Sequence, residues 1–234
     1  MLILTLDSVK LVGIDQITPE WISASKDLKL SPHFSLWEMC NNWRGGALER
    51  FNFFYGSVFY LDNLIKLCNE LLEPIRAHFG PIHVNSAMRW ARKKPFMIYM
   101  WEGLDYEIRS PYVQKDYSLK SQHIWGEAAD IVSTGSGGRA HDPRELFTWV
   151  RTYSPQLNCP NPFGQLIYEV SDRTAWLHIS IPGMRKKDGS LIYGEVMDAK
   201  VDTMGRARYA MVEHLCGGRG KDVWGKEETS FQIG

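Results

Sequence analysis

The order of segments along this chain predicts an α+β fold. Three observations predict it. Apolar residues recur at helical spacing over 61–79, a capped helix signal spans 142–153 between two strand signals, and two alternating runs at 165–181 are joined by a short polar turn. The 234 residues suit one domain with sizeable insertions. Hydrophobic residues at 44% and charged residues at 23% are ordinary globular values, which excludes wholesale disorder.

Residues 1–29 mix short apolar stretches with Pro19 and Trp21 and read as a strand followed by a turn, an N-terminal extension to the main unit. From Leu30 the signals sharpen. Ser35 stands where an N-cap belongs, with Glu38 three residues on as its capping-box partner. Leu61, Leu64, Ile65, Cys68, Leu71, Leu72, Ile75 and Phe79 form the apolar stripe of a long helix, stopped by Gly80-Pro81. Pro74 inside it removes a backbone donor and should bend it. Ile82–Ser86 reads as a short strand leading to Arg89. Residues 90–120 hold seven of the chain's Trp, Tyr and Phe residues without a period, so they read as an aromatic-rich insertion flanking a cleft or as a flap over the core.

Ala128–Val132 is a strand signal, followed by the glycine-rich connector 135–138, which lacks phosphate-loop spacing and its Lys. Asp142, Pro143 and Glu145 open a helix in register as N-cap, N1 and N3, and Leu146, Trp149, Val150 and Tyr153 give its buried face. Strands at Gln165–Val170 and Ala175–Ile181 flank the turn Ser171-Asp172-Arg173. Val201, Met204, Tyr209, Val212 and Leu215 suggest a last helix stopped by Gly217-Gly218, then a loose tail. Residues 183–234 thus form a C-terminal extension.

The densest chemical signal is Ser121-Gln122-His123-Ile124-Trp125-Gly126-Glu127-Ala128-Ala129-Asp130, with Trp176-Leu177-His178-Ile179-Ser180 far downstream. Side chains alternate along a strand, so Leu177, Ile179 and Ile181 face the core while Trp176, His178 and Ser180 face a groove. Hairpin pairing can set Glu169 on the groove side near His178. Two imidazoles and a carboxylate converging there would make a three-ligand zinc site with an open fourth position for water. Each part has a bland alternative: a hydrogen-bonded core histidine, or an aspartate that caps a strand end.

The pattern Ser-x-His-x-x-Gly-x-Ala-x-Asp followed by Trp-x-His-x-Ser resembles the zinc D-alanyl-D-alanine carboxypeptidase family. That family includes phage L-alanyl-D-glutamate endopeptidases and shares its fold with the hedgehog signalling domain. The likeness spans about residues 30–182 and includes the stretch Leu30–Glu38 and the helix and strand leading to Arg89. It implies a small antiparallel sheet with helices packed on one side, and Zn2+ held by His123, Asp130 and His178. It also implies hydrolysis of peptide bonds in peptidoglycan stem peptides. Arg89 would dock a substrate carboxylate through its two-pronged guanidinium (or, alternatively, be a surface arginine paired with a nearby acid), and Ser121 and Trp176 would contact substrate.

Two departures stand out. Many members carry an acid three residues before the final His as general base, and here that position is Ala175. Glu169 is the replacement expected on alternation, with Asp172 in reserve. If neither serves, the chain would be a zinc-binding structural or wall-binding module without turnover. The link between Arg89 and Ser121 is also longer than usual, so the choice between carboxypeptidase and endopeptidase stays open.

Composition limits the partners. With 27 basic and 27 acidic side chains, the formal net charge is zero, which argues against a nucleic-acid or polybasic membrane partner. No apolar run reaches the roughly 18–20 residues of a membrane span. Asp7 interrupts the short opening run, so no signal peptide is expected. Together with the resemblance, this suggests a phage or prophage protein made in the cytoplasm, acting on the wall after lysis or virion delivery. A monomer is the expected state. Cys40, Cys68, Cys159 and Cys216 form no CxxC pair, so free thiols are expected.

Overall fold

A computed structural model of the chain describes residues 2–41, 47–89, 121–135, 140–153, 163–183, 192, 194–202 and 207–214. The fold is α+β, with several helices and one six-stranded mixed sheet. The insertion expected at 90–120, most of the glycine-rich connector, Cys159, Cys216 and the tail lie outside the described residues.

The N-terminal residues are helical rather than strand-and-turn. Helix α1 spans Leu6–Val9, a 3-10 turn spans Ile14–Gln16, and α2 spans Pro19–Ala24. Caps explain the difference. Thr5 and Ser8 bond reciprocally, Thr18 Oγ1 accepts from the Trp21 N–H at 3.2 Å, and Pro19 occupies the first helical position, where its missing donor costs nothing. Trp21 is buried and meets Phe53 edge-on at 6.0 Å.

Helix α3 spans Leu36–Cys40 and carries the expected capping box. The Ser35 N–H donates to Glu38 Oε2 at 2.8 Å, and the Glu38 N–H donates to Ser35 Oγ at 3.3 Å. Helix α4 (Ala47–Phe54) runs into a π-helical turn at Tyr55–Phe59. The predicted long helix forms as α5 (Leu61–Leu67), a second π-helical turn (Cys68–Leu72) and α6 (Glu73–Phe79). The extra residue per turn falls just before Pro74. Proline cannot donate to the Glu70 carbonyl, and the Glu73 N–H instead reaches back five residues to Cys68. Gly80 ends the run with φ 77°, its N–H bonded to the Arg76 carbonyl at 2.9 Å.

Strands β1 (Ile82–Ser86) and β2 (Ala128–Ser133) form at the two strand signals, β2 one residue longer than its signal. Helix α7 (Pro143–Tyr153) starts at Asp142, whose Oδ1 accepts from the Arg144 N–H at 2.8 Å, and it buries Leu146, Phe147 and Val150. Strands β3 (Gln165–Val170) and β4 (Ala175–Ser180) make the predicted hairpin.

Two expectations are corrected beyond residue 182. Instead of a last helix, β5 (Glu195–Val201) and β6 (Ala207–His214) extend the sheet, whose order is β1-β2-β4-β3-β5-β6. Along β5, Met197, Ala199 and Val201 are buried while Asp198 and Lys200 are not, a period of two, and the stretch read as helical instead pairs antiparallel with this strand, Ala207 opposite Val201. The sheet is also not purely antiparallel, because β5 pairs in parallel with β3, Gln165 opposite Glu195. The chain leaves β4 at the end where β3 begins and steps past β3, so β5 must run in the direction of β3.

The chain divides into two compact units, residues 1–74 with 84–130, and residues 75–83 with 131–234. The first is packed around Phe34, Leu36, Met39, Phe53, Leu64 and Leu67, all fully buried. In the second, α7 covers one face of the β3–β4 hairpin. Phe147 meets Tyr168 at 6.3 Å, and the Arg144 guanidinium lies 3.7 Å over the Tyr168 ring.

Candidate metal centre

In the first unit, His123 sits on a 3-10 turn, Gln122–Trp125, and Asp130 on β2. Gly126 closes the turn in the left-handed region at φ 65°, with its N–H directed to the Gln122 and His123 carbonyls. The turn is held from outside. The Asn63 amide donates to the Trp125 carbonyl at 2.9 Å, Tyr60 meets Trp125 edge-on at 5.9 Å, and the Gln122 amide donates to Glu127 Oε2 at 3.3 Å. Burial, followed by the charge of Glu127, pushes the Tyr60 hydroxyl up to about 12, so it stays a neutral phenol.

His123 is 2% exposed, and its Nδ1 lies 2.8 Å from the Ala87 carbonyl oxygen. A carbonyl only accepts, so Nδ1 carries a hydrogen. The other ring nitrogen, Nε2, faces Asp130 Oδ1 at 3.1 Å. Two acceptors at this distance need a proton or a cation between them. Two ligand atoms each about 2.0–2.2 Å from one zinc at a tetrahedral angle would stand roughly 3.3–3.6 Å apart. The observed separation is short of this by only a few tenths of an ångström, so the pair fits a metal. A histidine ligand fixed through its other nitrogen by a backbone carbonyl is also the arrangement metal sites use.

Arg89 lies just beyond β1. Its Nε donates to Ser86 Oγ at 2.6 Å, its terminal nitrogen Nη2 forms an ion pair with Asp130 Oδ2, and its backbone N–H donates to the His123 carbonyl at 3.1 Å. The guanidinium expected to meet a substrate carboxylate is thus engaged with an acid of its own chain.

In the second unit, His178 is buried on β4 and pairs across the hairpin with Ile167, while Trp176 pairs with Glu169. Directly opposed residues share a face, so Gln165, Ile167 and Glu169 lie on the face of Trp176, His178 and Ser180. Glu169 is therefore a diagonal neighbour of His178. Both faces of the hairpin are covered here: Glu169, His178 and Ser180 are buried on one, and Leu177 and Ile179 on the other. The face continues over β5 and β6 as an apolar cluster of Ile167, Met197 and Ala199 with Met211 against it. The Trp176 indole nitrogen is buried with no hydrogen-bond partner among the described residues.

His123, Asp130 and His178 are all buried, and each offers one ligand atom within 4.8 Å of the other two, so the group could hold a metal ion. Of the remaining expected site residues, Ser121 begins the 3-10 turn without a side-chain cap bond, and Asp172 is exposed in the hairpin turn. Sequence reasoning missed Ser86 and Ala87. Ser86 stands three residues before Arg89, a weak clue, whereas Ala87 acts through a carbonyl that every residue possesses. Compared with family models, curated proteins and solved structures, the chain matches none.

Proposed function

We propose that the chain is a zinc-dependent peptidase of the hedgehog and D-alanyl-D-alanine peptidase type, hydrolysing peptide bonds in the stem peptides of bacterial peptidoglycan. One observation carries the reading: the two histidines and the aspartate of the sequence pattern are also the buried cluster of possible metal ligands. His123, Asp130 and His178 would hold Zn2+, and three protein ligands are the number a catalytic zinc site uses. When bound, the ion supplies a cation that polarises a carbonyl and lowers the pKa of water to roughly 7.

Glu169 is assigned to accept the proton, because it is buried on the face of His178, one strand pair along, whereas Asp172 is in the exposed turn. Trp176 is assigned to substrate, since its indole N–H lies on that face and has no acceptor among the described residues. Ser121 would support the loop that bears His123. Action on the wall after lysis or virion delivery belongs to the same proposal.

Elemental analysis of the purified chain, with mass spectrometry of peptidoglycan digests run with and without chelator, tests this. The expected result is bound zinc and chelator-sensitive release of amino acid or peptide, whose identity separates carboxypeptidase from endopeptidase. Glu169→Ala should keep zinc and lose release. Zinc without release from any wall type would favour a second reading, a zinc-binding structural or wall-binding module, for which Ala175 speaks. A chain that binds no zinc would refute both.

A further inference from the structure

We infer that Arg89 is a positioning residue of the metal centre, holding Asp130 by one carboxylate oxygen so that the other alone is presented beside His123. The inference rests on reading His123, Asp130 and His178 as metal ligands and assigns Arg89 a different task from docking substrate.

Arg89 touches both ligands of the first unit. Its guanidinium pairs with Asp130 Oδ2, and its backbone N–H holds the His123 carbonyl at 3.1 Å. The Nε bond to Ser86 Oγ at 2.6 Å fixes the plane of the guanidinium, and with it the direction of the donor that meets Asp130. Asp130 Oδ1 is then the oxygen left 3.1 Å from His123 Nε2. Asp130's side chain is only 9% exposed and that of Arg89 22%, so water competes little for the pair.

Two consequences follow for a bound ion. A carboxylate with one oxygen held by a guanidinium coordinates through the other, which keeps a further coordination position open. The guanidinium also draws electron density from the carboxylate, leaving more positive charge on the ion. A lysine carries its three donors on one freely rotating nitrogen, so it lacks the planar fork that lets Arg89 hold Ser86 and Asp130 in one fixed plane. A substrate carboxylate would compete with Asp130 for the same guanidinium.

Zinc affinity, measured by competition with a chromogenic chelator, and the visible spectrum of the Co2+-loaded protein test the assignment in Arg89→Met, Arg89→Lys and Ser86→Ala. Arg89→Met should weaken zinc roughly 10–100-fold and alter the Co2+ bands as the second oxygen of Asp130 is released to the ion. Arg89→Lys should fall between it and wild type, and Ser86→Ala should shift both readouts less, in the same direction. A merely structural role would lower thermal stability and leave the Co2+ spectrum unmoved. Arg89→Met that melts cooperatively with unchanged affinity and spectrum overturns the inference. If Arg89→Met does not fold, Ser86→Ala with both readouts unchanged overturns it equally. Wild-type chain that binds neither ion instead refutes the metal reading itself.

Discussion

Gly126→Ala tests the link between the turn and the candidate metal centre. Gly126 has φ 65°, where an L-residue crowds its own backbone, and replacing glycine there costs about 1–2 kcal/mol. A Cβ at this position would also lie 2.9 Å from Tyr60 Cβ and 3.4 Å from two Leu64 carbons. The first contact is below any ordinary separation and involves a carbon next to the backbone, which cannot swing aside. Overpacking of this kind costs typically about 1–3 kcal/mol. Alanine restricts the unfolded chain and recovers about 0.4–1 kcal/mol. The net is a destabilisation of roughly 1–4.5 kcal/mol, large beside a usual total of about 5–15 kcal/mol.

Urea unfolding followed by circular dichroism and by tryptophan fluorescence measures it, with coincident transitions required before a free energy is extracted. Gly126→Asn separates the two contributions. Asparagine tolerates the left-handed region but brings the same Cβ, so it should cost about 1 kcal/mol less than alanine. Because Gly126 closes the turn that carries His123, zinc affinity should fall with stability. Gly126→Ala within about 0.5 kcal/mol of wild type would refute the reasoning.

Two further predictions concern the first unit. Burial pushes the Glu73 carboxyl up, but the Ser31 hydroxyl at 2.6 Å and the His33 backbone and ring nitrogens at 2.8 and 2.7 Å outweigh it, so its pKa is lowered on folding. A carboxylate of that kind adds stability above its unfolded pKa and loses it as pH falls through the lower folded value. Glu73→Gln should therefore lower the melting temperature at neutral pH, with the gap to wild type closing below the ordinary carboxylate range, and a gap constant with pH would contradict this.

A Cβ at Gly56 would collide with Cys40 Sγ and approach Leu64 Cδ1 to 3.2 Å, so Gly56→Ala should cost about 1–3 kcal/mol. Cys40→Ala removes the colliding sulfur, and urea unfolding of both single variants and the double variant should give a favourable coupling of about 0.5–3 kcal/mol. Strict additivity would show that the sulfur is not what the new methyl meets.

What was legible in the sequence was short in range. The Ser35–Glu38 capping box, the Asp142 cap of α7, the Gly80 stop and the β3–β4 hairpin depend on residues a few positions apart, and the chain forms them as read. The π-helical turn before Pro74 is the same kind of local consequence, since the missing donor is a property of the residue itself. The types of the three candidate ligands were legible too, because alternation along β4 marks the face that His178 must share with Trp176 and Ser180. Even so, the caps at Thr5 and Thr18 were overlooked under a weak strand signal.

The tertiary structure decided whatever joins distant positions. Arg89 pairs with Asp130, 41 residues away, and a hydrogen on His123 is placed by the Ala87 carbonyl, 36 residues away. The parallel seat of β5 was settled by which edge of β3 was still unpaired and by the direction in which the chain arrived, and the strand character of 207–214 by the edge that β5 then offered. Periodicity records which side of an element is apolar but not what lies against it. Only after the chain has closed its long loops do a guanidinium, a carboxylate and an imidazole meet, and their chemistry is set by that meeting.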